Sequence, residues 1–231
     1  MKKLKVALAG IGKLGAAMMA HWNEENIQIG IYHPSRTKAE QFIRRFPNGY
    51  LLNEQDLREV DILILALPAG KVIPFMENIA AEALSSSVIF INMATALPTK
   101  VVCKRFPSYN VYGIKYMGHS RDLLEHGNGL FITEEHLPEQ VMELYKPLGK
   151  INKDGEDRLV EINKLATYYA VKTAVEIEKD FTNKGYPSAY IKRALTSLAP
   201  EVIRSYSEGN LGHFAQEIVR EIKESSEKDA D

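Results

Sequence analysis

The chain has 231 residues, 45% apolar and 26% charged, which supplies a full hydrophobic core and excludes disordered, collagenous and coiled-coil chains. Its 29 Lys and Arg balance 30 Asp and Glu, and a net charge of -1 gives no electrostatic reason for a nucleic-acid or acidic-membrane partner. At about 150 residues per domain the length predicts one complete domain and a smaller second one.

The first strand is expected over Lys5 to Ala9, an apolar run stopped by Gly10, with a helix following at once from Lys13 to Glu25. Ile27 to Tyr32 reads as a second strand and Thr37 to Phe46 as a second helix, with Phe42, Ile43 and Phe46 on one stripe. The runs DILILAL (Asp61 to Leu67) and VIFIN (Val88 to Asn92) are apolar throughout, as strands buried on both faces of a parallel sheet must be. Between them a helix is expected from Val72 to Leu84 and a serine turn over Ser85 to Ser87. Weaker strands are expected at Val111 to Lys115 and Gly129 to Thr133, with helices near Pro98 to Arg105 and Pro138 to Leu148. Alternating strands and helices specify an α/β fold, a Rossmann-type doubly wound and mostly parallel sheet.

After about Gly155 only helices are expected: Arg158 to Lys184, Ser188 to Tyr206 and Leu211 to Lys223, then a fraying tail, SSEKDAD. The expected division is therefore 1–155, the sheet domain, and 156–231, a small all-α domain. No stretch approaches the roughly 18 apolar residues of a membrane span, and the apolar run Val6 to Ala9 is too short for a signal segment. A single cysteine, Cys103, and six scattered histidines show no metal-ligand spacing, so no metal is expected and a cytoplasmic setting is.

Gly10-Ile11-Gly12-Lys13-Leu14-Gly15 is a GxGxxG placed between a buried strand and a helix. In that context the first glycine permits the tight turn, the second lets backbone approach a pyrophosphate, and the third allows helix to pack on strand. The helix N-terminus offers free N–H groups and a partial positive charge to the phosphates. A site built for NAD would carry an acid at the end of the second strand to accept from the ribose hydroxyls. Here that end reads Tyr32-His33-Pro34-Ser35-Arg36-Thr37-Lys38, without an acid. Arg36 suits adenine stacking and fork-like pairing with a 2′-phosphate, and Ser35, Thr37 and Lys38 can add donors, so NADP(H) is expected over NAD(H). The alternative is that Ser35 only caps a helix and Arg36 and Lys38 are solvated. Two further strand ends, Ala66-Leu67-Pro68-Ala69 and Asn92-Met93-Ala94-Thr95-Ala96, should edge the same crevice, since open sheets bind ligands at their carboxyl ends.

Lys115-Tyr116-Met117-Gly118-His119-Ser120 lies beyond the next strand end, where a nicotinamide would face its substrate. Lys115 or His119 is a candidate to protonate a developing alkoxide or amine as hydride arrives; the bland alternative is a polar surface loop. In the long helix, Lys164 is a candidate to polarise a carbonyl, against the alternative of a solvated lysine, and the stripe Leu165, Ala166, Tyr169, Ala170, Thr173, Ile177 suits a core or dimer seam.

On these residues the chain resembles the pyrroline-5-carboxylate reductase-like group of NADP-binding oxidoreductases, within the 6-phosphogluconate/β-hydroxyacid dehydrogenase superfamily. The likeness rests on GIGKLGAAMMA (Gly10 to Ala20), HPSRTKAEQF, ILALP, INMATAL and the helical domain that follows, and it covers about the first 150 residues well. It implies NADPH-dependent reduction of a C=N or C=O bond in a small substrate and a homodimer built by the C-terminal helices. The chain departs from the group at the small-residue turn SGSGPAY, where it reads INKLATYY (Ile162 to Tyr169), and at the loop MPNTP, where it reads YMGHS. The missing turn keeps open a catalytically idle NADP-binding sensor or accessory protein, and the same nucleotide site would also serve an NADP:deazaflavin-type oxidoreductase.

Overall fold

The computed structural model describes residues 4–80 and 87–228, and contacts divide the chain into two units, Met1–Lys164 and Leu165–Asp231. The first unit opens with β1 (Val6–Ala9), α1 (Lys13–Glu24), β2 (Ile29–Tyr32), α2 (Arg36–Ile43) and β3 (Gly49–Leu51). It continues through β4 (Ile62–Leu65), α3 (Ala69–Ala80), β5 (Ile89–Asn92), α4 (Thr99–Arg105) and β6 (Asn110–Gly113). The remainder of the helix expected to reach Leu84, and Ser85 and Ser86 of the serine turn, lie outside the described residues, as does 229–231 of the tail.

These six strands form one parallel sheet in the order β3-β2-β1-β4-β5-β6. Each run of side chains alternates between two buried layers. Leu8, Ile62 and Ile64 face Met18, Trp22 and Phe42, whereas Ala7, Leu63 and Leu65 face Val72, Met76 and Val102. Burial on both faces is why β4 and β5 read as unbroken apolar runs. The strand order reverses between β1 and β4, and there a crevice must open, because the connections leave the sheet toward opposite faces. Register makes the edge flush: Ala9 pairs with both Tyr32 and Leu65, and Leu65 pairs with Asn92. Gly10, His33, Ala66 and Met93 therefore emerge along one rim.

The strand expected over Val111 to Lys115 is divided. β6 ends at Gly113, and after the fully buried Ile114 the chain begins β7 (Lys115–Met117) in a different sheet. That three-stranded sheet pairs β7 antiparallel to β8 (Gly129–Thr133), and β8 parallel to β9 (Gly149–Lys153). Between them lie α5 (Ser120–His126) and α6 (Glu139–Tyr145). Trp22 Nε1 donates to the Leu144 carbonyl over 2.8 Å, and His21 Nε2 lies 2.6 Å from the Leu123 carbonyl oxygen, so α1 holds the segments around both helices.

α7 (Glu156–Asn183) starts inside the first unit, with Glu156 and Leu159 both buried, so the division by contacts falls within this helix. The second unit contains the rest of α7, then α8 (Ser188–Arg193), α9 (Ala199–Glu208) and α10 (His213–Lys228). The sequence predicts one helix from Ser188 to Tyr206, but a π-helical turn at Ala194–Leu198 separates α8 from α9. The cause is Pro200, which has no N–H to give the Thr196 carbonyl and whose ring crowds that oxygen. The second unit leaves Leu165, Tyr168, Tyr169, Val175 and Phe214 more than half exposed. Among the described residues no helix is long and apolar enough to cross a membrane.

Candidate functional site

At the switch point the glycine turn takes the shape its spacing requires. Gly10 has φ +118°, a conformation that side chains rarely adopt, and a Cβ there would fall on the Ala66 carbonyl oxygen. A Cβ on Gly15 would likewise overlap the Gly10 carbonyl, so α1 meets β1 only because both positions lack side chains. Gly12 differs: a Cβ built on it meets nothing within 4 Å. It faces open space at the N-cap of α1, a helix with no side-chain cap and no acid in its first turn. The first-turn N–H groups are thus left to a ligand, and an anion is the ligand their partial charge favours.

In front of this turn lies a cleft of about 710 Å³, walled by Gly10, Ile11 and Gly12, by Ala66, Leu67 and Pro68 from the end of β4, and by His33, Lys38, Gln41, Phe42 and Arg45. Among the described residues no carboxylate lines it. The turn, the basic wall and the volume fit a dinucleotide with one or more phosphates beyond reach of repulsive acids. His33 fixes the bend after β2 by accepting from Ser35 N–H at Nδ1 over 2.9 Å. Ser35 occupies the N-cap position of α2, yet its side chain makes no capping bond. Arg36 points elsewhere: its Nε donates to Glu40 Oε1 over 3.1 Å, and neither Arg36 nor Thr37 is part of the wall. Gln41 and Arg45 are lining residues that motif reading missed. The signal was available as Lys38, Gln41, Phe42, Arg45, an i, i+3, i+4, i+7 row.

A second cleft of about 490 Å³ adjoins the first through Ile11, Gly12 and Arg45, and is completed by Lys13, Ala16, His119, Ser120, Arg121 and Leu124. His119 is therefore beside the glycine turn. It caps α5, with Nδ1 accepting from Arg121 N–H over 3.3 Å, which leaves the proton of the neutral ring on Nε2. Leu14 is half-buried and packs against the core.

Lys115 has a different position from the loop expected for it. It is fully buried in β7, and its Nζ donates to the carbonyls of Ala94 (2.8 Å) and Leu97 (3.0 Å). Glu156 Oε1 lies 3.6 Å from the same ammonium. The carboxylate in turn accepts from Thr99 N–H (2.8 Å) and Thr99 Oγ1 (2.6 Å), while Asn92 Nδ2 donates to Thr99 Oγ1 and to the Leu97 carbonyl, each over 3.0 Å. Burial pushes the Lys115 ammonium down to about 8, against the opposing pull of Glu156, Glu135 and Glu134. The Lys115 ammonium and the Asn92 amide donate to the 94–99 segment, and Asn92 Oδ1 accepts from Ala94 N–H over 3.1 Å, so the network clamps the Met93-Ala94-Thr95 loop at the rim. Met93 and Ala94 are buried and Thr95 is half-buried. Asn92 belongs to the strand end that the sequence places at the crevice, but Thr99 and Glu156 were missed, since they are distant from Lys115 along the chain and carry no motif. Lys164 is exposed on α7.

Among the described residues no three His, Cys, Asp or Glu side chains are arranged to hold a metal ion. Residues 5–118 match the NAD-binding domain of 6-phosphogluconate dehydrogenase. The match covers just under half of the chain, and this segment is similar to that NAD-binding domain. The glycine turn, the switch point and the rim loops all fall within the matched residues. No curated protein matches the chain. Solved structures of similar fold include a pyrroline-5-carboxylate reductase from Coxiella burnetii, with TM-score 0.70 at 11% identity over 96% of this chain and 85% of that one. An imine reductase from Aspergillus terreus in complex with NADPH4 and dibenz[c,e]azepine has TM-score 0.62 at 14% identity, over 89% and 78%. A Streptomyces aurantiacus imine reductase has TM-score 0.64 at 14% identity, over 90% and 80%. At these identities the likeness is one of fold.

Proposed function

We propose that the chain is an NADP(H)-dependent oxidoreductase of the pyrroline-5-carboxylate reductase-like kind, which passes hydride to a small imine or carbonyl substrate. The observation that carries this reading is the open face of Gly12 on a cleft with cationic side chains and, among the described residues, no acid. The Aspergillus terreus imine reductase and reductive aminase, similar in fold and solved with NADPH4 and NADPH, agree with it. In this reading Gly10, Ile11, Gly12, Lys13, Leu14 and Gly15 receive the pyrophosphate, Ala66 to Pro68 and Met93 to Thr95 edge the sugar and nicotinamide, and the basic segment from His33 to Lys38 serves the adenosine end. Of the proton-donor candidates, His119 has the better case, because the Lys115 ammonium is already committed to two carbonyls and Glu156. Lys164 remains a candidate to polarise the substrate. The lone Cys103 suits a reducing, cytoplasmic setting.

Titrating the protein with NADPH and following nicotinamide fluorescence is expected to give saturable binding, tighter than for NADH. Steady oxidation of NADPH is then expected with at least one member of a panel of cyclic imines and keto acids. Absence of NADPH binding overturns the cofactor reading. Binding without turnover across the panel favours the second reading, an idle NADP-binding sensor, which the commitment of Lys115 to a structural role supports.

We also infer a homodimer made through the helical unit. A groove of about 420 Å³ between α9 and α10 is lined by Val202, Ile203, Tyr206, Ile218 and Ile222, and α7 exposes Leu165, Tyr169 and Val175. Apolar surface on this scale is normally covered by a partner. Light scattering on the eluting protein is expected to give twice the chain mass; a monomer at micromolar concentration refutes the dimer.

A further inference from the structure

We propose that discrimination for the phosphorylated cofactor resides in the inner row of α2, Lys38 and Arg45, and not in Arg36 of the loop. This rests on the reading of the cleft as an NADP(H) site and adds which side chains meet the ribose phosphate.

Helix geometry separates the two sets of cations. At 100° per residue, Lys38, Gln41, Phe42 and Arg45 share one face of α2 and its continuation, while Arg36 and Glu40 share the opposite face. The continuation is real: Arg45 N–H donates to the Phe42 carbonyl over 3.1 Å, which carries the helical turn past Ile43. Phe42 is 5% exposed and anchors this face against the core, and that burial fixes the rotation of the helix. Lys38, Gln41 and Arg45 are thereby turned to the cleft. Reorienting Arg36 to the cleft would not need a strong pair to be broken, since its link to Glu40 is exposed and weak; the obstacle is the side of the helix from which it starts.

Arg45 is also held in place. Its guanidinium lies 5.2 Å from the centroid of the Phe46 ring, and Phe46 packs on Phe42 at 4.9 Å between centroids. A guanidinium over an aromatic face keeps its N–H edge free, and that edge suits bidentate pairing with a phosphate dianion. Lys38, seven residues earlier on the same face, adds a point charge from the other end of the row, and His33 adds a ring nitrogen near the bend. The pyrophosphate is assigned to the glycine turn, which leaves these groups in the same cleft as a second anion site. NADP(H) carries the extra phosphate such a site requires; NAD(H) does not.

The test compares wild type with Lys38→Gln, Arg45→Gln, Arg45→Lys and Arg36→Gln, using NADPH and NADH fluorescence titrations and competition by adenosine 2′,5′-bisphosphate against 5′-AMP. Arg45→Gln and Lys38→Gln are each expected to weaken NADPH and the bisphosphate by about tenfold or more while moving NADH and 5′-AMP by less than about threefold. Arg45→Lys should fall between, and Arg36→Gln should lose less of the preference than either. Full loss of the NADPH preference in Arg36→Gln with retention in Arg45→Gln overturns the proposal. Wild type that binds neither dinucleotide overturns instead the reading on which it rests.

Discussion

Replacing Gly12 by alanine is expected to leave the fold intact and to remove dinucleotide binding, whereas alanine at Gly10 or Gly15 is expected to damage the fold itself. At Gly12 the added methyl enters open space, with ordinary backbone angles of φ -75° and ψ -166°, so the stability change should stay within about 1 kcal/mol. That same space is where the phosphates must approach the first-turn N–H groups, and affinity for NADPH should fall by about tenfold or more. At Gly15 the methyl would overlap the Gly10 carbonyl, and at Gly10 it would overlap the Ala66 carbonyl on a residue with positive φ. Backbone cannot yield there without separating α1 from β1 or β1 from β4. A loss of about 2–4 kcal/mol is expected at each. Thermal melts and NADPH titrations of the three variants, run side by side, check this. Unchanged NADPH affinity in a folded Gly12→Ala protein would show that the turn is not the phosphate site.

The second large effect belongs to the pair Lys115 and Glu156. Lys115→Met leaves a buried carboxylate with Thr99 as its only short-range donor residue among the described residues, and a loss of about 3–5 kcal/mol is expected. Glu156→Gln should cost less, because the amide oxygen can still accept from Thr99 and the lysine can shed its proton. The double variant Lys115→Met with Glu156→Gln should recover part of the loss, since no unpaired charge remains buried. The pair also predicts a pH dependence. Lys115 releases its proton near pH 8 in the folded chain but near 10.5 when unfolded, so between those values the unfolded chain binds more protons and stability from this group rises with pH. Below about pH 8 the full penalty of burying the cation is present. Urea denaturation from about pH 7 to about pH 9.5 should show wild type gaining on Lys115→Met as pH rises. A constant difference between the two would refute the assignment of a depressed pKa to Lys115.

The two predictions touch opposite kinds of information. The glycine turn is local: its three glycines, the strand before it and the helix after it are contiguous, and steric limits at each position act within a few residues. The same holds for ILIL and IFIN, whose burial on both faces permits no other composition, and these segments are legible from their residues alone. β3, β9 and α5 are not. β9 reads GKINK with most of its side chains exposed, and it is a strand only because β8 pairs with it through backbone hydrogen bonds that no side chain announces. The division of Val111 to Lys115 between two sheets has the same origin.

The site divides in the same way. A basic and acid-free end to β2 is readable, and so is the identity of every residue there, but not which cation faces the cleft. That is decided by the rotation of α2, which Phe42 sets by burying itself under the sheet. Lys115 and Glu156 are separated by α5, β8, α6 and β9, and nothing near either residue signals the other. Sequence alone determined the elements whose stability is built from neighbours in the chain: the phosphate turn, the parallel core strands, the order of a sheet domain and then helices. Only the tertiary structure decided which arginine lines the cleft and which lysine is buried, because those outcomes depend on helix rotation and on charge compensation between residues that meet only after folding.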